Sequence, residues 1–294
     1  MNVNDATKSA SQSPGLIARG RVAVVTGAAS GIGLGLAGRF AAEGMHVVMA
    51  DVEEPALAKA AAELAGAGAS VLPVVTDVSD RAAVDGLRDA ALSAFGAVHV
   101  VCNNAGVGGS HGPLWECPPG EWDWVLGVNL EGVMNGVRAF MPVLLEQDAG
   151  HLVNTSSVFG VFAGILGPYG VSKHAVAALT ETVHFNLKSL GVTHVGVSVL
   201  CPGAVRTNFG TSARNRPAWA GPTVTGEAEQ ASAERFDQLS ALGASPDVVA
   251  GMVVDGIRAR RFYILTSGNR NEAIVRRGAE IVAGAPPEPP VSFV

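Results

Sequence analysis

Seven short apolar runs punctuate the chain from residue 21 onward. The first, RVAVVTG (21–27), is a continuous β-branched run closed by glycine, the pattern of a strand buried on both faces. HVVMAD (46–51), SVLPVVTD (70–77), AVHVVCNN (97–104), HLVNTSS (151–157), HVGVSVLCP (194–202) and RFYILTS (261–267) follow. Ala-, Leu- and Glu-rich helical segments lie between them. This alternation predicts an α/β fold: a doubly wound parallel sheet of about seven strands with helices on both faces. The longest helix candidates, 121–147 and 169–190, are apolar around much of their circumference. One side packs on the sheet; the other is further core or a subunit interface. Residues 208–230 lack any period and are rich in Gly, Pro, Ser and Thr, which suits either a functional lid or a disordered segment. The organisation read here is a disordered tail (1–20), one domain (21–267) and a C-terminal extension (268–294) ending in an extended Pro-rich segment.

Composition narrows the setting. A net charge of −6 disfavours nucleic-acid partners, whose phosphates need a basic face. Cys102, Cys117 and Cys201 are too few and too scattered for a disulfide framework or a zinc site, so no metal is expected and the cytoplasm is the simplest compartment. The charge-free stretch 152–172 holds polar residues, Pro168 and glycines; it reads as strand plus loop, not a membrane span. The first twenty residues lack the apolar core of a signal peptide.

The chemistry gathers at the strand ends. TGAASGIG (26–33) joins the first strand to the first helix. Its glycines allow a tight turn and close backbone approach, and the helix N-terminus favours phosphate, so the segment reads as a dinucleotide pyrophosphate site. Asp51 ends the second strand, where a carboxylate accepts from ribose hydroxyls and repels a 2′-phosphate; NAD is favoured over NADP. Asp77 either contacts adenine or caps the next helix. Tyr169 and Lys173 sit four residues apart on one helix face. An ammonium beside a phenol favours the phenolate, which makes Tyr169 a candidate proton donor and acceptor. Ser156 and Ser157 end the fifth strand, where a hydroxyl can hold a substrate oxygen as charge develops on it.

Taken together, TGAASGIG (26–33), Asp77, NNAG (103–106), Asn129 within GVNLEGV, the Ser157 region, YGVSK (169–173) and CPGAVRT (201–207) make the chain resemble the short-chain dehydrogenase/reductase family, over roughly residues 20–267. The resemblance implies a single-domain Rossmann-type fold and an alcohol dehydrogenase or ketoreductase. Tyr169 would be general acid/base, Lys173 the ribose ligand that lowers its pKa, and Ser157 the holder of the substrate oxygen. Asn129 would support a water in a proton relay. Cofactor contacts would come from Gly27, Ser30, Gly31, Ile32, Gly33, Asp51, Asp77, Val78, Asn103, Ala105, Gly106, Tyr169, Lys173, Pro202, Gly203, Val205 and Thr207. The family commonly spaces its serine thirteen residues before the tyrosine, as Ser156 is. The pattern Ser-Val-x-Gly (157–160) instead favours Ser157, with one residue deleted after it. The resemblance also supports a homo-oligomer, dimer or tetramer, through 121–147 and 169–190.

Phe209, Pro217 and Trp219, with Val158, Phe159 and Phe162, suggest a bulky apolar or aromatic alcohol or ketone. Arg206, Arg214 and Arg216 either recognise a carboxylate or stand in solvent. His111 and Cys117 lie in the loop after NNAG, within reach of a substrate. EWDWVLGVNLEGVMNG (121–136) resembles, more weakly, dehydrogenases of bulky aryl secondary alcohols. Two other readings are an NADP-dependent carbonyl or acyl-carrier reductase and a catalytically silent NAD-binding scaffold.

Overall fold

The computed structural model describes residues 15–109, 113–162, 167–222, 226, 234, 238, 240–267 and 271–288. Seven parallel strands form one sheet in the order β3-β2-β1-β4-β5-β6-β7. They are β1 (Val22–Thr26), β2 (His46–Asp51), β3 (Val71–Val75), β4 (Val100–Asn103), β5 (Gly150–Thr155), β6 (Val195–Cys201) and β7 (Tyr263–Leu265). The central strands are buried end to end, as their β-branched runs require. Pro73 sits in β3, at the sheet edge, where a missing ladder donor is tolerated.

Helices cover both faces. Those described are α1 (Gly31–Ala42), α2 (Glu54–Gly66), α3 (Arg81–Phe95), α4 (Pro119–Leu126), α5 (Gly132–Leu145), α6 (Gly167–Ser189), α7 (Pro246–Arg258) and α8 (Asn271–Ala283). One core layer places Leu36 and Phe40 of α1 with Val249 and Val253 of α7. The opposite layer joins Val84 and Leu87 of α3 to Phe140 and Leu144 of α5 and Leu187 of α6. Gly35 lets α1 approach α7 closely, since a Cβ there would stand 2.9 Å from the Pro246 backbone. Strand order reverses between β1 and β4, and their C-terminal ends open a crevice at that switch point.

Four expectations change. The helix 121–147 is interrupted: a π-helical turn at Gly127–Glu131 separates α4 from α5, so the extra residue reorients the chain at Asn129. Residues 1–14 of the tail lie outside the described residues. Residues 15–20 are ordered, with Ile17 in the core and the Gly20 N–H on the Gly44 carbonyl at 3.0 Å. The C-terminal extension contains α8, whose Ala273 and Ile274 pack on the Val158/Phe159/Phe162 cluster. The lid is described over 208–222, where short 3₁₀ turns at Phe209–Asn215 and Ala218–Ala220 replace the featureless loop. No helix among the described residues is long and apolar enough to cross a membrane.

Candidate active site

A cavity of about 490 Å³ lies in the crevice at the strand ends. Its phosphate-sized end is built by the turn after β1. Gly27 and Gly31 adopt φ of +67° and +55°, the left-handed region open to glycine. A Cβ on Gly33 would stand 2.0 Å from the Gly27 carbonyl oxygen, so the turn and the helix can touch only with glycine there. No side chain caps the α1 N-terminus at Ser30, and no acidic residue occupies its first turn. Ser30, Gly31 and Ile32 face the cavity, and this cradle fits a pyrophosphate.

The turn is braced from β4. Thr26 Oγ1 accepts from the N–H groups of Asn104 (2.9 Å) and Ala105 (3.0 Å), and Asn104 Nδ2 donates to the Thr26 carbonyl at 2.9 Å. Ala105 and Gly106 line the cavity, and Asn104 lines it where Asn103 was expected. The correction has a simple cause. Asn103 points the other way along the strand, donating to Asn154 Oδ1 at 2.9 Å and abutting Gly136.

Asp51 lines the end of the cavity beside β2, its Oδ2 accepting from the Ala29 N–H at 2.9 Å and its Oδ1 from the Glu53 N–H at 3.1 Å. Asp77 and Val78 line it too. Asp77 Oδ1 accepts from the Ser79 N–H and hydroxyl, whereas α3 is capped by Asp80 through the Ala82 N–H at 2.8 Å. The helix cap is therefore not Asp77. Pro202, Gly203, Val205 and Thr207 border the other end, Thr207 standing against Gly31.

Tyr169, Lys173 and Ser157 converge there. The Lys173 ammonium is buried, donates to the Thr155 carbonyl at 3.0 Å and lies 5.7 Å from the Tyr169 ring centroid. Burial lowers the Lys173 pKa to about 8. Burial raises that of Tyr169 to about 12, opposed by a hydrogen bond with Ser157. Ser157 also accepts from the Phe159 N–H at 3.2 Å, capping the turn 158–160. Ser156 is turned away, its hydroxyl donating to the Lys173 carbonyl at 2.7 Å.

Asn129 lies behind this group, fully buried. Its side chain exchanges two bonds with the Val107 backbone (2.8 and 2.9 Å) and donates to Ser172 Oγ at 3.1 Å. Ser172 donates to the Tyr169 carbonyl at 2.7 Å. A Cβ on Gly106 would lie 3.3 Å from both Asn129 Oδ1 and Lys173 Nζ, so these two groups flank one glycine-wide gap.

The wall beyond Tyr169 is apolar: Val107, Trp124, Val158, Phe159, Phe209 and Trp219. Phe162 is absent from it and packs on α8 instead. The Phe209 ring lies 5.3 Å from the Tyr169 ring. Arg216 fits neither reading given to it, its side chain being buried and ion-paired with Glu121, whereas Arg214 is exposed, as the solvent reading has it, and ion-paired with Glu53. Arg206 is exposed, and His111 lies outside the described residues. Sequence reading missed Glu53, Asn104, Trp124 and Thr155. Of these, Asn104 lies within NNAG and Thr155 within the HLVNTSS run, but neither pattern says which of its residues faces the crevice.

A family model described as short chain dehydrogenase matches residues 21–218. The chain is 42% identical to the 1-deoxy-11-beta-hydroxypentalenate dehydrogenase of Streptomyces exfoliatus over 253 residues, covering 85% of this chain and 84% of that protein. It is 34% identical to the C alpha-dehydrogenase of Sphingobium sp. over 270 residues, covering 91% and 87%. A crystal structure of a short chain dehydrogenase/reductase from Burkholderia phymatum in complex with NAD superposes with a TM-score of 0.90 at 42% identity, covering 93% of this chain and 98% of that one.

Proposed function

Because the chain belongs to the short-chain dehydrogenase family, we propose that it is an NAD-dependent oxidoreductase interconverting a bulky, apolar or aromatic secondary alcohol and its ketone. The observation that carries this reading is the meeting of the Tyr169 hydroxyl with Ser157, beside the buried Lys173 ammonium, at the apolar end of the cavity.

The cradle at Gly27, Ser30, Gly31 and Ile32, with Gly33 beneath it, would hold the pyrophosphate, and Asp51 the adenosine ribose. Ala105, Gly106, Pro202, Gly203, Val205 and Thr207 would border the rest of the dinucleotide. When bound, the nicotinamide supplies a hydride acceptor for the carbinol hydrogen. Ser157 donates to the substrate oxygen and orients it toward Tyr169. Tyr169 takes the alcohol proton in oxidation and returns it in reduction. Burial raises its pKa to about 12, and the Lys173 ammonium 5.7 Å from the ring, together with the positive ring of a bound oxidised nicotinamide, would favour the phenolate. Asn129 holds Val107 and Ser172 in place beside Lys173, at the inner end of a relay. The neutral wall of Trp124, Phe159, Phe209 and Trp219 suits an aromatic or alicyclic skeleton.

The reading includes a cytoplasmic homo-oligomer. Val171 and Phe185 of α6 are exposed in the single chain, on a helix expected to meet a second copy. Sedimentation of the purified protein tests that part.

The activity is tested with purified protein and a panel of secondary alcohols and ketones, following NADH absorbance in both directions, beside a Tyr169→Phe variant. Turnover by the parent that falls at least 100-fold in the variant is expected. Binding of NADH with no turnover by either protein would return the chain to a silent scaffold. Preference for NADPH would overturn the use of Asp51.

A further inference from the structure

The strap of residues 208–222 lines the cavity and is fastened to the rest of the domain by two arginines two residues apart, one on Glu53 and one on Glu121. At the substrate end Arg216 pairs with Glu121, donates to the carbonyls of Ala220 and Gly221 at 2.7 Å each, and lies 5.2 Å from the Trp124 ring centroid. At the adenosine end Arg214 Nη2 and Nε grip the two Glu53 carboxylate oxygens at 2.5 and 3.2 Å, and Asn215 Nδ2 adds a third bond at 2.8 Å. The Arg214 Nη1 turns back on the strap, donating to the Asn208 and Thr211 carbonyls at 3.1 and 3.0 Å. Arg214 thus shapes the 3₁₀ segment and ties it down with one guanidinium.

The two fastenings differ in one decisive respect. The side chains of Arg216 and Glu121 are 6% and 1% exposed; those of Arg214 and Glu53 are 37% and 26% exposed. A buried pair cannot part without stranding a charge, whereas a half-exposed pair parts into water at small cost. The Glu53 fastening is therefore the one that parts more readily. Glu53 is also the residue whose N–H bonds the Asp51 carboxylate at 3.1 Å, so this fastening lies against the expected ribose ligand.

We propose that Glu53 and Arg214 form a releasable latch that retains the dinucleotide by closing the strap over its adenosine half. Glu53 is a positioning residue here, acting through Arg214. The inference rests on the NAD reading of the cavity but not on any substrate or turnover.

The test is the NADH dissociation rate, measured by stopped-flow displacement and nucleotide fluorescence without alcohol or ketone. Glu53→Gln and Arg214→Met should each release NADH about 3- to 10-fold faster, and the double variant no faster than either alone. The parent rate should rise with salt toward that of the variants. The charge exchange, Glu53→Arg with Arg214→Glu, should restore slow release. Variants are compared at matched circular dichroism and melting temperature. Unchanged release in both single variants, an effect of Arg214→Met alone, or additive effects would each overturn the latch. Failure of the parent to bind NADH at all would instead sink the NAD reading on which it rests.

Discussion

The Ser156 hydroxyl donates to the Lys173 carbonyl oxygen at 2.7 Å. Gly160 makes room for it, since a Cβ there would stand 2.0 Å from Ser156 Oγ. The bond commits Ser156 to fastening the strand end to α6 and leaves Ser157 to face Tyr169. Ser157→Ala should therefore lower kcat by about 100-fold or more while costing only the cap on the turn 158–160, about 1 kcal/mol. Ser156→Ala should cost about 1 kcal/mol of stability, the net worth of one buried hydrogen bond, and keep kcat within a few-fold. A loss of kcat in Ser156→Ala that Ser157→Ala does not share would reassign the serine.

Lys173 gives a second test with a definite sign. Burial pushes the Tyr169 phenol up to about 12, and the Lys173 ammonium, 5.7 Å from its ring, is the cation placed to favour the phenolate. Lys173→Met removes the cation, so the phenolate loses stabilisation and the phenol pKa rises. The kcat/KM profile for alcohol oxidation should keep its rising limb but move to higher pH. Its value near neutrality should fall by about 100-fold or more. A limb that moves to lower pH would remove Lys173 from the proton chemistry.

The fold was legible in the chain because each strand is a short β-branched run at a fixed place in a βα repeat. His46–Asp51 coincides with its predicted run, and Val195–Cys201 falls within one. What stayed hidden depends on side-chain direction or on contacts distant in sequence. Neighbouring strand residues point to opposite faces, and a motif cannot say whether Asn103 or Asn104 faces the crevice. The π turn at Asn129 adds no residue type that marks it. Arg214 and Glu53 are 161 positions apart, so no local pattern predicts their bond. Helix α8 has no fully buried residue, and its Ala273 and Ile274 meet the Val158/Phe159/Phe162 cluster, a contact distant in sequence that no local pattern predicts.

Asp51 offers a third test. Its carboxylate is held in place by the Ala29 N–H at 2.9 Å, which orients it along the adenosine end of the cavity. Asp51→Ser keeps a hydrogen-bonding group and removes the charge that would face a 2′-phosphate. The ratio of kcat/KM for NADH over NADPH should fall by about 100-fold, equivalent to ~2.8 kcal/mol. If the ratio is unmoved, Asp51 does not read the ribose, and the carboxylate only orders the β2 turn.

His151 predicts how stability responds to acid, from bonds that fix its tautomer. Ser198 donates its one proton to the Arg261 carbonyl at 2.7 Å, so the contact of 2.7 Å between Ser198 Oγ and His151 Nε2 requires the imidazole to donate there. His151 Nδ1 then carries no proton, and it lies so close to Gly196 that a Cβ would stand 2.4 Å away. A second proton at Nδ1 has to be accommodated in that buried space, and burial lowers the His151 pKa to about 3, with Arg260 acting in the same direction. The unfolded chain takes up this proton near pH 6.5, so it binds more protons than the folded chain between these values. Stability is then fully present above about pH 6.5 and is lost as pH falls toward 3, by up to about 1.4 kcal/mol per unit. His99, also lowered by burial, adds to the same limb. Urea midpoints at pH 7, 6 and 5 should fall steadily in the parent and less steeply in His151→Gln, which keeps an N–H donor. Equal slopes would show that the buried imidazole contributes nothing to acid sensitivity, whatever the variant costs at pH 7.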